Sequence, residues 1–433
     1  MIFEKYIPSA LCLVLFFSLS ANSSANNDEE VFTEALKYTI KVRTRVETPF
    51  LGESRGSSSG AGFIVDAKRG WVMTNAHVAS RSPSFVTVNF HKGQDYHSVK
   101  KLYVDPYLDF AMLEVPTDLL PDSAADAKLD CETIPGVGHP VGAFGHPWSL
   151  SFTGTRGIIS GITSKLGGGE MLQTDAPINQ GNSGGPLISM NTGKVVGINT
   201  ATLSKSRNQN TNFAIPMKYA CKILQLLQED KSPLPPALPI LFLLDLHDRR
   251  ELEVATTYLD KNLIDLRVGD IVQSVIGHDG DIENEGHLVN ALRGQLAQVA
   301  LKVLRNDESI TINGRLDPAK PVDSLKGVHF SGLLIAPMPF RDWAELNLPG
   351  FMIHDVKNGS IAQDEGLITW DLIVAIDGEP VKALNSMFEQ VQKIEKTDEK
   401  VKIKVKRFSK FSDRFYDYVE RPIPVEDLKF VGY

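Results

Sequence analysis

A serine set among glycines stands at Gln180-Gly181-Asn182-Ser183-Gly184-Gly185-Pro186. Held that way on a tight turn, its Oγ has little steric cover and can be approached. The glycines supply backbone angles that residues with a Cβ resist. Successive N–H groups of such a turn can converge on one point, which is what a developing oxyanion needs. The chemistry this suits is nucleophilic attack on a carbonyl carbon. An ordinary Gly-rich turn with a solvated serine fits the stretch equally well, so the decision rests on whether the chain supplies a base and an orienting acid.

His77 closes the run Trp71-Val72-Met73-Thr74-Asn75-Ala76-His77, at the end of an expected strand. A strand end is a rigid place to present an imidazole, and histidine titrates near neutral pH. His91, His97, His139 and His146 lie in polar or Gly/Pro-containing loops. His139 and His146 could pair on a metal, but no thiol or carboxylate cluster beside them completes a set, so no metal and no cofactor is expected. Asp109 stands at the mouth of the apolar run Phe110-Ala111-Met112-Leu113. An acid there is partly desolvated and needs a partner, which a histidine Nδ1–H would satisfy. The order His77, Asp109, Ser183 is that of the two-barrel chymotrypsin class and differs from the subtilisin and α/β-hydrolase orders.

The elements that must position these groups are short strands. Apolar runs separated by Gly, Pro, Asn and Ser fall at 62–66, 71–74, 85–90, 99–104 and 109–115. A second set falls at 141–144, 155–162, 171–174, 186–189, 194–200 and 212–215. Two such groups predict paired β-barrels or a sandwich. Met217–Glu229 has helical spacing and predicts a closing helix. Val31–Tyr38 reads as a short amphipathic helix behind a polar, flexible Asn22–Glu30. The Pro-rich stretch Ser232–Pro239 marks a linker, placed at 231–239. Beyond it Leu266–Val275 and Ile368–Asp377 each begin a strand, helix, strand succession, and the offset (370 − 269 = 101) defines an internal repeat.

The bulk numbers agree with several globular domains: 433 residues, 42% hydrophobic and 23% charged. Net charge is −8, which excludes a broad phosphate-binding surface, and no nucleic-acid partner is expected. The Lys-rich Lys400–Arg407 alternates with apolar residues and reads as one solvated strand face. Residues 1–25 have the plan of a secretory signal, with Lys5 ahead of the apolar run Ala10–Leu19. An uncleaved membrane anchor is the other reading of that run. Cys131 and Cys221 remain after its removal, and the sequence leaves open whether they pair or stay separate buried thiols.

The segments TNAHV, LDFAMLEV and QTDAPINQGNSGGPL, followed by GINTA and NFAIP, resemble the HtrA/Deg family of exported serine proteases. The resemblance covers Tyr38–Met217 closely. Asn182 stands where digestive trypsin-like enzymes carry Asp, as in HtrA proteins. It implies a mainly β fold: a double β-barrel, chymotrypsin-like protease domain over 31–230, followed by two PDZ-like α+β domains. It implies Ser183 as nucleophile, His77 as general base then acid, Asp109 as orienting acid, and Gly181, Asn182 and Ser183 as the oxyanion loop. Ile198, Asn199, Thr200 and Ala201 resemble the strand lining the substrate side-chain pocket. Phe144–Leu150 and Arg207–Thr211 resemble activation loops.

The C-terminal half resembles two PDZ domains unevenly. The first, 240–318, has Pro236–Leu244 where a Gly-containing carboxylate loop would stand, and reads as a packing module. The second, 322–410, is the better match, with Phe330, Ser331, Gly332 and Leu333 as its carboxylate loop. A PDZ groove adds a peptide strand to its sheet edge. The tail, 411–433, ends in Val431-Gly432-Tyr433, apolar enough to enter such a groove, its own or a neighbour's. The resemblance further implies unfolded or misfolded polypeptides and C-terminal peptides as partners, a periplasmic location, and a homotrimer, with larger cages known in the family. Phe32 and Tyr38 are candidates for the trimer contact. A chaperone-type holdase and a PDZ-led scaffold with a relic protease domain are the alternatives from other classes.

Overall fold

The computed structural model describes residues 27–50, 52–93, 95–146, 152–163, 170–202, 211–243, 251–338, 350–397, 399–408 and 416–433. Helix α1 (Asn27–Tyr38) begins inside the stretch expected to be flexible, because Asp28, Glu29 and Glu30 face the positive end of its dipole. Its Phe32 stacks on Phe144 with centroids 5.6 Å apart. A Cβ on Gly142 or on Gly154 would fall within 2.8 Å of that ring, so a side chain at either position would displace the ring from its seat. Phe32, partly buried, and the buried Tyr38 pack against the core of their own domain.

Among the described residues the first sheet has seven antiparallel strands: β1 (Thr39–Val46), β2 (Gly56–Asp66), β3 (Trp71–Thr74), β4 (Ser84–Asn89), β5 (His97–Ser98), β6 (Lys100–Asp105) and β7 (Phe110–Glu114). Their order is β5-β4-β1-β2-β3-β7-β6. Strand β1 is absent from the sequence reading because it leaves α1 without any turn residue, although its burial alternates along most of its length. A one-turn helix, α2 (Ala76–Ala79), follows β3. The second unit is a closed barrel of β8 (Pro140–Gly145), β9 (Thr153–Thr163), β10 (Met171–Thr174), β11 (Pro186–Ser189), β12 (Val195–Thr202) and β13 (Asn212–Pro216), in the order β10-β13-β12-β11-β8-β9. Helix α3 (Met217–Gln228) closes it, burying Met217, Ala220, Ile223 and Leu224. One apolar cluster runs from the first sheet across the seam to Ile188, Ile198 and α3. A disulfide joins Cys131 to Cys221 on α3, deciding between the two readings the sequence left open.

The repeat appears as two sheets with separate cores. The first holds β14 (Ile240–Phe242), β15 (Leu252–Thr257), β16 (Ile271–Val275), α4 (Glu285–Leu292), β17 (Val299–Arg305) and β18 (Glu308–Gly314). The second holds β19 (Lys326–Phe330), β20 (Leu333–Pro337), β21 (Phe351–Val356), α5 (Ile361–Asp364), β22 (Leu372–Ile376), α6 (Leu384–Glu395) and β23 (Lys400–Phe408). Each buries an aspartate under a bidentate arginine from its long strand. Arg305 donates from Nε and Nη2 to Asp270 at 2.7 Å each. Arg407 donates to Asp371 at 2.7 and 2.6 Å. Such forks are charge-assisted and fix geometry as well as energy.

The stretch expected as a free tail belongs to the second of these sheets. Strands β24 (Tyr416–Pro424) and β25 (Lys429–Gly432) complete the order β24-β23-β22-β21-β20-β19-β25. No described helix is long and apolar enough to cross a membrane.

Candidate active site

Ser183 sits on the turn that enters β11. Its conformation is dictated by crowding. A Cβ on Gly184 (φ 84) would lie 2.1 Å from the Ala61 carbonyl oxygen and 2.2 Å from Thr74 Oγ1. The turn is bonded to both halves of the domain: Ala61 N–H donates to the Ser183 carbonyl at 2.7 Å and Gly184 N–H to that of Asn199 at 2.8 Å. Asn182 N–H donates to the Asn179 carbonyl at 2.9 Å, and the Asn182 side chain is fully buried. The N–H groups of Gly181 (φ 107) and Ser183 have no acceptor among the described residues. Two unengaged donors flanking a half-buried hydroxyl are suited to receive a carbonyl oxygen that gains negative charge.

His77 lies on α2, and Asp109 immediately precedes β7. Strands β3 and β7 pair, which brings the two residues together. Asp109 adopts φ 53, a left-handed conformation uncommon for a residue with a Cβ. That backbone is over-determined by its neighbours: Ala76 N–H and Asn75 Nδ2 both donate to the Asp109 carbonyl, at 3.0 and 3.1 Å. The carboxylate in turn takes two bonds from His77. Oδ1 accepts from its backbone N–H at 3.0 Å, and Oδ2 lies 2.8 Å from its Nδ1. A proton on Nδ1 fixes the tautomer with Nε2 free to accept, on the half-exposed side of the ring.

Thr200 joins the two halves. Its hydroxyl donates to Asp109 Oδ2 at 2.6 Å, and its carbonyl accepts from Ser183 Oγ at 2.8 Å. Among the described residues Ser183 Oγ donates to the Thr200 carbonyl and has no hydrogen bond to His77. His146, just past β8, bonds the Gly60 carbonyl through Nε2 at 2.5 Å. Burial pushes its pKa down to about 4, so it stays neutral. His139 Nε2 lies 2.8 Å from Ser189 Oγ.

The chain's residues 60–198 match the model of the trypsin-like peptidase domain. It is 29% identical over 421 residues to the periplasmic serine endoprotease DegP of Salmonella typhimurium, covering 88% of this chain and 84% of that one. The chain is homologous to the HtrA/DegP serine endoproteases. A probable DegP-like endoprotease of Chlamydia trachomatis is 27% identical, over 77% of this chain and 70% of its own. Among solved structures, the HtrA-type protease AlgW with a tripeptide superposes with a TM-score of 0.55 at 25% identity, covering 70% of this chain and 99% of that one.

Two groups of residues expected from the HtrA resemblance have these surroundings. Ile198 is fully buried in the core, and Asn199 donates from its N–H to the Gly185 carbonyl and from Nδ2 to the Pro186 carbonyl. Thr200 links the site to Asp109, and the Asn199 carbonyl holds the Gly184 N–H of the nucleophile turn. The backbone of Ala201 continues β12. Phe330–Leu333 is a two-residue hairpin turn with Ser331 (φ 50) and Gly332 (φ 86) at its centre, the left-handed pair that suits right-twisted strands. Ser331 N–H donates to the Glu426 carbonyl at 2.7 Å. Of the expected activation loops, 147–150 and 207–210 lie outside the described residues.

The role of Thr200 was not legible from its type alone, since nothing local says which way a strand threonine points. Its test is specific. Thr200→Val removes the hydroxyl that Asp109 accepts and should lower kcat roughly tenfold, the worth of one hydrogen bond to a charged group. Thermal stability and KM should hardly move; an unchanged kcat in a peptide assay would deny Thr200 its positioning role.

Proposed function

We propose that the chain is a serine endopeptidase of envelope quality control, independent of ATP, acting on unfolded or misfolded exported polypeptides. Ser183 is the nucleophile. Its Oγ bonds to the peptide carbonyl carbon as its proton passes to His77 Nε2, and the oxyanion rests on the N–H groups of Gly181 and Ser183. His77 then protonates the departing amine, leaving an acyl-enzyme. Water, deprotonated by His77, releases the acid and restores the hydroxyl. Asp109 holds Nδ1–H throughout and stabilises the imidazolium.

The observation that carries this reading is the double grip of Asp109 on His77 together with the Thr200 bridge from the same carboxylate to Ser183. A structural carboxylate would need neither. The relatives named periplasmic support a periplasmic location. The two C-terminal sheets are read as PDZ-like modules that regulate access, and the assembly as a homotrimer able to build larger cages. A fluorophosphonate probe tests the enzyme class directly. It should form one covalent adduct, mapping to the peptide containing Ser183, in protein that degrades casein. An intact, folded protein that takes no label would leave only a binding role.

A further inference from the structure

Strand β25 occupies the outer edge of β19, antiparallel, pairing Lys326 with Gly432, Gly327 with Val431, Val328 with Phe430 and His329 with Lys429. It lies alongside α6, where the Phe430 ring stacks on Phe388 at 4.3 Å between centroids and 14° between planes. A strand added to a sheet edge beside a helix is the way such modules accept an extended peptide. Here the chain fills that edge itself. Val431 packs against a small cluster made by Phe50 of the protease domain with Leu334 and Ala336.

The next residue reaches further. The Tyr433 hydroxyl lies 2.9 Å from the Ser82 carbonyl and 3.1 Å from that of Arg81, and its one proton can go to either. It accepts from Lys101 Nζ at 2.6 Å, and the ammonium stands 4.6 Å from the ring centroid. Lys101 also donates to the Ser82 carbonyl at 2.8 Å and to Ser84 Oγ at 2.7 Å. The same short segment is held from the other side by Glu53, which accepts from Ser80 Oγ and Arg81 N–H at 2.6 Å each. Ser80 directly follows α2, three residues after His77. Strand, ring stack and hydroxyl thus form one continuous connection from the edge of the last sheet to the base of the His77 helix.

Phe430 and Tyr433 remain 45% and 46% exposed, so neither ring is sealed in. A cleft of about 650 Å³ runs beside Tyr433, with Val431, Lys101 and Phe85 also on its walls. From this geometry we infer that Lys429–Tyr433 is an intramolecular ligand of the β19–α6 edge, for which extended peptides with an aromatic residue at the Phe430 position and a tyrosine three residues on compete. The inference concerns peptide binding and goes beyond the hydrolytic reading, since none of its contacts involves Ser183.

The test uses a fluorescein-labelled Lys-Phe-Val-Gly-Tyr peptide, followed by polarisation on the full chain. A ligand already in place weakens the competitor by the fraction of edge left open. Phe430→Asp, which keeps the strand but repels the ring stack, should bind the peptide at least about tenfold more tightly than wild type. Tyr433→Ala should gain roughly three- to tenfold, the loss of a charge-assisted hydrogen bond from the resident strand. Chain ended after Leu428 should bind most tightly. Amide exchange at Arg81 and Ser82 should quicken as peptide is added to the wild type. Equal affinity for wild type and all three variants overturns the inference, as does absence of binding to any of them. Exchange at Arg81 and Ser82 that ignores saturating peptide overturns the link to the His77 segment. Because the readout is binding, it stands or falls separately from proteolysis.

Discussion

Ser183→Ala should abolish casein degradation while the protein keeps its fold. The expected loss in kcat is about 10⁶-fold, as when a triad nucleophile is deleted and only binding and oxyanion stabilisation remain. Folding should be spared because the turn is held by its backbone. The Ser183 carbonyl accepts from Ala61 and the adjacent Gly184 N–H bonds Asn199, and alanine preserves both. The one bond lost is Oγ to the Thr200 carbonyl, worth about 1 kcal/mol in a half-buried place. Urea unfolding and casein hydrolysis, measured on the same preparation, check the two halves of the statement. Undiminished hydrolysis would remove Ser183 from the nucleophile's role whatever the geometry suggests.

The largest stability effect is expected far from that site. Arg293, at the end of α4, is the bulkiest fully buried side chain in the described structure. Its Nη2 stands 2.5 Å from Asp105 Oδ2 with both side chains inaccessible, and its Nη1 donates to the Pro233 carbonyl at 2.6 Å. Asp105 lies at the end of β6, so this pair fastens the first C-terminal sheet and the Pro-rich linker to the protease domain. Its carboxylate also accepts from the N–H groups of Tyr107 and Leu108, at 2.9 and 3.1 Å. Arg293→Ala strands that carboxylate in a dry interface, and breaking a buried pair in this way typically costs about 3–5 kcal/mol. The urea midpoint should fall accordingly, and limited proteolysis should cut within the 231–239 linker at lower protease concentration. The double variant Arg293→Met with Asp105→Asn should recover much of the loss, because it leaves no uncompensated charge. A shift below about 1 kcal/mol in the single variant would mean the interface opens to water readily and the pair is no clasp.

The sequence alone determined the parts whose signals are local. Ser183 among glycines, His77 at a strand end and Asp109 beside an apolar run declare themselves by type and neighbourhood, because each needs a particular backbone in its own few residues. The repeat was legible in the same way, down to Asp270 and Asp371 standing at corresponding places. Most strands of the first domain with turn residues at both ends were found, whereas β18, behind the Asn306-Asp307 turn, was not named and β1 was hidden by its direct junction with α1. Only the tertiary structure decided which distant groups meet. Thr200 became the bridge between Asp109 and Ser183, Phe32 a wedge over two glycines, Cys131 the partner of Cys221, and Tyr433 a contact of the segment behind His77. None of these pairings is written in a pattern of hydrophobicity or spacing, since a hydrogen bond or ring contact is chosen by whatever surface the folded chain brings within a few ångströms.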